Sequence, residues 1–174
     1  AVAKLAIQGK RLEVTAPTAT TVGGSLQNIS VVLPDIKSPA LLLQVRGEAV
    51  GATKYGLDFI QKSPVRGYIA GLTDNMASSG NGNLNLQVNI PLRGNKPASV
   101  SGRYHFLDNE VSLGTGVPTL HKVNGDLLFS ESLVQMKNAT MQVFGGPATL
   151  TVQSSKGGVV NARRVGHANM DVIR

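Results

Sequence analysis

The chain has 174 residues, no cysteine, no tryptophan and a formal net charge of +7. This length suits one domain with a substantial core, which we expect to span residues 1–174, and the absence of cysteine excludes a disulfide scaffold or a cysteine-ligated metal. The positive charge favours an anionic neighbour such as nucleic acid, a lipid headgroup or lipopolysaccharide. No apolar run approaches the ~20 residues that a transmembrane helix needs.

The first third of the chain predicts β-strands. Apolar and polar residues alternate with a period of two over residues 2–14, with a shift of parity near Arg11-Leu12, and over residues 26–33. Residues 40–53 are apolar throughout Leu41 to Leu43 and then alternate. This period is typical of strands with one buried face. Pro17 and the threonine-rich residues after it lead to Gly23-Gly24, which predicts a turn.

One short helix is predicted, at residues 54–62. Apolar side chains recur there at spacings of three and four, and Ser63-Pro64 forbids continuation of the helix. We expect its apolar side to plug an open end or face of a sheet. The polar residues 74–81 after it predict a loop.

The middle of the chain gives the clearest strands. Residues 83–92 alternate apolar side chains with asparagine and glutamine, and residues 99–107 repeat the pattern. Asp108-Asn109 tolerates left-handed backbone conformations, so we expect a tight hairpin there. A further strand is expected at residues 122–130.

The last third continues the same pattern. In residues 133–144 the apolar parity shifts near Lys137-Asn138, which predicts a bulge that bends the sheet. Strands are predicted at residues 148–153 and 159–162, and the start of another at residues 170–173. The expected fold is therefore mainly β: a curved antiparallel sheet of consecutive hairpins, forming a groove or a half-open sandwich, with one short helix.

Catalytic motifs are lacking. His105, His121 and His167 are far apart and have no metal-ligand spacing, and Gly80-Asn81-Gly82 lacks the setting of a phosphate loop. The carboxylates are scattered, and no serine occupies a nucleophile elbow. We therefore expect no enzymatic activity, no metal and no cofactor.

The sequence does not favour nucleic-acid binding. Single-strand and RNA binders combine positive charge with exposed aromatic rings on which bases stack. Here the aromatic residues mostly fall on the apolar parity of the strands, and no dense basic patch occurs. We expect no nucleic-acid partner.

Several segments together resemble the YhdP branch of the AsmA-like proteins. The resemblance covers roughly residues 63–152, and residues before it match only in general style. Its segments are Ser63-Pro64, residues 79–82, Ile90-Pro91-Leu92, residues 102–106, Asp108-Asn109, residues 123–131 and residues 144–147.

The resemblance implies a periplasmic section of a large protein of Gram-negative bacteria, whose transmembrane helix in the inner membrane lies outside this chain. Such proteins resemble bridge-like lipid transporters, in which a curved sheet carries phospholipid towards the outer membrane and neighbouring β-segments continue the groove. The residues expected to hold acyl chains are Leu84, Leu86, Val88, Ile90, Tyr104, Phe106, Leu127 and Phe129.

Two interpretations of these apolar residues stay open: an open groove that holds lipid, and a closed core. The same apolar residues would equally form the closed core of a β-sandwich, since buried aliphatic side chains are the rule in any globular domain. The chain would then be a structural or assembly module of the cell envelope that binds other proteins through its sheet edges, without lipid cargo.

Overall fold

The computed structural model describes residues 2–21, 23–62, 73–155 and 160–165. These residues form ten strands and one helix. The elements are β1 (Lys4–Gln8), β2 (Arg11–Thr21), β3 (Gly24–Leu33), β4 (Leu42–Ala52), α1 (Thr53–Lys62), β5 (Ala77–Pro91), β6 (Ser99–Ser112), β7 (Leu120–Ser130), β8 (Leu133–Val143), β9 (Gly146–Ser155) and β10 (Val160–Val165). The predicted mainly β class and the short helix are confirmed.

All ten strands belong to one antiparallel sheet in which each strand pairs with the next along the chain. Helix α1 lies between β4 and β5 in sequence and packs against both. The sheet is a single curled layer, and its apolar face lies on the inside of the curl. The buried core therefore consists mainly of side chains from β5 to β9 that face one another across the concave side.

Small and large side chains alternate across the concave face. In one row of register partners, Gly47 lies beside Leu86, Leu86 beside Gly102, and Gly102 beside Phe129. A Cβ on Gly102 would lie 2.5 Å from Cζ of Phe129, so only glycine leaves room for the ring. The inside of a curled sheet has less room than its outside, and this alternation lets large rings fit there.

Residues with left-handed backbone interrupt five of the strands. Asn28, Gly80, Asp108, Lys122 and Asn138 have φ values of 51°, 108°, 48°, 50° and 51°, and each lies at a register shift between neighbouring strands. An extra residue in a strand resets its alternation, so apolar residues on both sides of it face the concave side. The predicted bulge near Lys137-Asn138 is confirmed.

The predicted hairpin at Asp108-Asn109 is wrong. Strand β6 runs through both residues, and Asp108 forms a bulge in place of a turn. The Asn109 side chain is fully buried, and its Nδ2 donates hydrogen bonds to the carbonyl oxygens of Asn81 (2.7 Å) and Leu107 (3.0 Å). These bonds hold the chain extended against β5.

Three boundaries in the first half also differ from prediction. Residues 2–14 are two strands, because Gly9 (φ 60°) begins a two-residue turn between Gln8 and Arg11. Pro17 lies inside β2, where it faces the bulge of β3 and no ladder bond needs its missing N–H. Strand β5 begins at Ala77, so residues 77–81 are not a loop. The predicted strand at residues 170–173 lies outside the described residues.

Candidate functional site

An open groove of about 550 Å³ runs along the concave face between β3, β4, β5 and the start of α1. Its lining is mostly apolar. The main apolar side chains are Leu26, Ile29, Val45, Ala49, Leu84 and Leu86. The groove can therefore accept an elongated apolar group, which its lining would shield from water.

The groove is open because three successive inward-facing positions of β4 are small. Gly47, Ala49 and Gly51 contribute little side-chain volume. Large side chains appear further along the same register rows, at Leu86 and Leu84 in β5 and at Phe106 in β6. At one end the backbones come close together, and a Cβ on Gly51 would lie 2.9 Å from Cα of Gly24. The space that side chains fill beneath β5 to β9 is left free beneath β3 and β4.

Helix α1 borders one end of the groove. The ring of Tyr55 covers Gly23 so closely that a Cβ on this glycine would overlap the ring. Nζ of Lys54 lies 4.9 Å from the centroid of the same ring. An aromatic ring with a cation beside it therefore lies where the groove meets solvent.

A buried chain of hydrogen bonds fixes the start of this helix. The hydroxyl of Tyr104 donates to Oγ1 of Thr53 (2.8 Å), and Thr53 donates to Oδ1 of Asn109. Thr53 is 2% exposed and Asn109 is fully buried. Burial raises the pKa of Tyr104, and the hydrogen bond with Thr53 opposes this shift. The network ties the first residue of α1 to the bulge of β6.

The eight predicted groove residues all lie on the concave face, but only three of them line the open groove. Leu84, Leu86 and Tyr104 line the open groove. Phe106 and Phe129 are buried in the core, with Val88 and Leu127 packed against it. Ile90 is half-buried beside its register partner Leu43. Leu84 and Tyr104 are themselves buried core residues, so the predicted set spans the boundary between the packed core and the open groove.

Sequence reasoning missed the β3–β4 side of the groove. Leu26, Ile29 and Val45 belong to strands that were predicted, yet no ligand role was assigned to them. The usable signal was the run of small residues at alternate positions in β4, Gly47, Ala49 and Gly51, which indicates a face without side chains to fill it.

The polar surface carries two histidine–carboxylate pairs. Nδ1 of His105 lies 2.7 Å from Asp126 Oδ1, and Nδ1 of His121 lies 3.0 Å from Glu110 Oε1. Across the described ranges, no group of three or more metal-ligating side chains occurs. Within the same ranges, no helix has the length and apolarity needed to cross a bilayer. His167 lies outside them.

The fold and its groove define a class: a curled, single-layer β-sheet protein with an open apolar trough. The sequence matches the YhdP protein family over residues 1–174, and the chain belongs to that family. This membership indicates an AsmA-like protein of the cell envelope. No curated protein matches the sequence, and no solved structure matches it either.

Proposed function

We propose that this chain is a section of a bridge-like lipid-transfer protein of the Gram-negative envelope. It binds phospholipid acyl chains in the groove beside β4 and passes them between the inner and the outer membrane. The section is periplasmic, its parent protein is anchored in the inner membrane, and it has no enzymatic activity. Support comes from the family and from the open apolar groove.

The open groove carries this proposal. Each methylene group that leaves water contributes about 0.8 kcal/mol, so an acyl tail with several carbons in the groove is held firmly. Apolar contacts are not directional, so the tail can slide along the trough. The groove opens to solvent on one side, which leaves a headgroup in water while the tail is covered.

The apolar surface also extends beyond the groove to the edge of the sheet. Val14 pairs with Val31 and Leu5, and Leu12 pairs with Ile7, which places all of them on the concave face. Leu5 and Ile7 in β1 are 64% and 66% exposed. A trough whose apolar floor reaches an open edge suits one section of a longer groove, continued by neighbouring β-segments.

The test is a pair of adjacent substitutions on opposite faces of β4. Gly47 faces the groove, and a Cβ there would lie 3.9 Å from Ile29 Cγ1, so Gly47→Leu adds volume to the trough without a backbone clash. Arg46→Leu adds an apolar side chain to the convex face. We expect lipid extraction and native mass spectrometry to find bound acyl chains in the unmodified protein and in Arg46→Leu, and far fewer in Gly47→Leu.

Two results would contradict the proposal. One is a gently purified protein without any bound acyl chain, and the other is equal loading of the Gly47→Leu and Arg46→Leu variants. Circular dichroism of both variants shows whether the sheet has formed.

A second candidate function rests on β1. All five of its residues are exposed, and its outer edge presents unpaired backbone groups that an added strand from another protein can bind. In that case Leu86→Asn would leave lipid content unchanged, and a protein partner would be lost when Ile7 is replaced by proline.

A further inference from the structure

The turn between β8 and β9 presents an aromatic side chain to solvent. Phe144 is 82% exposed and has a φ of 52°, and Gly145 has a φ of 78°. Val143 pairs with Gly146, so these two residues form the whole loop. Positive φ at both positions is typical of type I′ hairpins, where Asn-Gly is the favoured pair.

Phenylalanine destabilises the turn at this position because its backbone is left-handed. A bulky side chain in the left-handed region is a genuine outlier, and asparagine would adopt the same backbone with less strain. At 82% exposure the ring gains little packing within the chain that would offset the strain. Backbone strain at an exposed position is evidence for a role in binding.

A neighbouring loop adds two more exposed apolar side chains at the same end of the sheet. Val111 pairs with Leu120 across β6 and β7, and His121 pairs with Gln142 across β7 and β8. The β6–β7 loop at residues 113–119 therefore lies beside the Phe144 turn. Leu113 and Val117 in this loop are each 44% exposed. Leu113, Val117 and Phe144 form what we call the apolar tip.

We infer that the apolar tip inserts into the surface of a lipid bilayer. A stable protein interface buries about 800 Å² on each partner. A two-residue turn and a neighbouring loop with three separate apolar side chains are too small for that, since one aromatic side chain buries at most about 250 Å². Partial insertion into a bilayer requires only a few protruding apolar groups and a favourable charge.

The charge of the chain suits an anionic bilayer. The net charge is +7, and exposed Lys122 follows the loop that carries Leu113 and Val117. The nearest carboxylates are already engaged within the chain, because Glu110 pairs with His121 and Asp108 accepts a hydrogen bond from Asn124. Cations beside an inserted side chain attract anionic lipid headgroups. The inference does not require the groove to carry lipid, because the apolar tip and the groove use different residues.

Tryptophan fluorescence tests this directly, because the chain contains no tryptophan. Phe144→Trp places a single reporter at the apolar tip, and Leu92→Trp places one at the opposite end of the sheet, where Leu92 is 49% exposed. The probe is a set of phosphatidylcholine vesicles with phosphatidylglycerol, prepared with and without brominated acyl chains. We expect the emission of Phe144→Trp to shift to shorter wavelength and to be quenched by the brominated lipid, and that of Leu92→Trp to change little.

A second variant measures the contribution of the ring. Phe144→Asn suits the turn, so the fold is retained, and loss of the inserted ring should reduce vesicle partitioning roughly tenfold or more in sedimentation. Unchanged emission of Phe144→Trp on addition of vesicles would overturn the inference. So would equal quenching of both tryptophans, or equal partitioning of Phe144→Asn and the unmodified protein. Acyl-chain loading of the Gly47→Leu variant is measured separately, so failure of one proposal is distinguishable from failure of the other.

Discussion

The phenolic oxygen of Tyr104 lies 2.8 Å from Oγ1 of Thr53, and this hydrogen bond joins the concave face of β6 to the first residue of α1. The Thr53 hydroxyl in turn donates a hydrogen bond to Oδ1 of Asn109, so all three side chains have a partner. Such a buried network in an aliphatic surrounding fixes one position for the helix, because any other position leaves polar groups unpaired.

Removal of the Thr53 hydroxyl, in the middle of the hydrogen-bond chain, should reduce stability more than removal of the Tyr104 hydroxyl at its end. Thr53→Val leaves the Tyr104 hydroxyl buried without its acceptor and should lower the free energy of unfolding by about 2 kcal/mol. Tyr104→Phe removes only a donor and should cost about 1 kcal/mol. Chemical denaturation of both variants and of the double variant measures the coupling. Strictly additive losses would show that the two hydroxyls do not interact.

The ionisation of Tyr104 should make the protein less stable at alkaline pH. Burial raises its folded pKa above the ordinary value of 10.0, so above that pH the folded state holds the proton that the unfolded state releases. The associated stability is complete below pH 10.0 and is lost as pH rises from there through the raised folded pKa. Tyr104→Phe should therefore lose less stability than the unmodified protein over this alkaline range. Denaturation midpoints measured at several alkaline pH values test this, and parallel curves for the two proteins would contradict it.

Replacement of Phe144 should stabilise the fold. Phe144→Asn relieves left-handed strain in the β8–β9 turn and should raise the free energy of unfolding by about 1 kcal/mol. Phe144→Ala is the control, since it removes the ring but keeps the strain, and should change stability by no more than about 0.5 kcal/mol. Thermal unfolding compares the three proteins. A less stable Phe144→Asn variant would mean that the ring contributes packing within the chain.

The bulge at Asn138 should tolerate glycine and reject a β-branched residue. Its φ of 51° is accessible to asparagine and glycine, whereas valine is a steric outlier there. We expect Asn138→Val to lose about 1–2 kcal/mol of unfolding free energy and Asn138→Gly to change it little. Urea denaturation measures both, and similar losses in the two variants would rule out backbone conformation as the cause.

Sequence patterns predicted the sheet because each strand depends on nearest neighbours along the chain. Alternation in β5 and the parity shift around Asn138 are local signals, and both were interpreted correctly. Asp108 adopts a left-handed backbone conformation as Asn138 does. The sequence Asp108-Asn109 was nevertheless interpreted as a hairpin turn. The difference is the bond from Asn109 to the Asn81 carbonyl, 28 residues away in sequence, which no local pattern contains.

The groove was only partly predictable for a related reason. Apolar parity identifies the residues that face inward, such as Leu84 and Phe129, but it does not tell an open trough from a filled one. That distinction depends on how much side-chain volume each register row supplies, and Gly47 and Phe129 lie in the same row only because three strand registers align them.

The order of the strands has a consequence for how the chain folds. Because β1 to β10 occupy the sheet in the order of their synthesis, each new strand docks on the one just completed and closes only a short loop. The β4–β5 connection, which contains α1, interrupts this progression. Apart from that connection, strands can pair one after another in chain order. A further hairpin added at an edge would leave the earlier pairings unchanged.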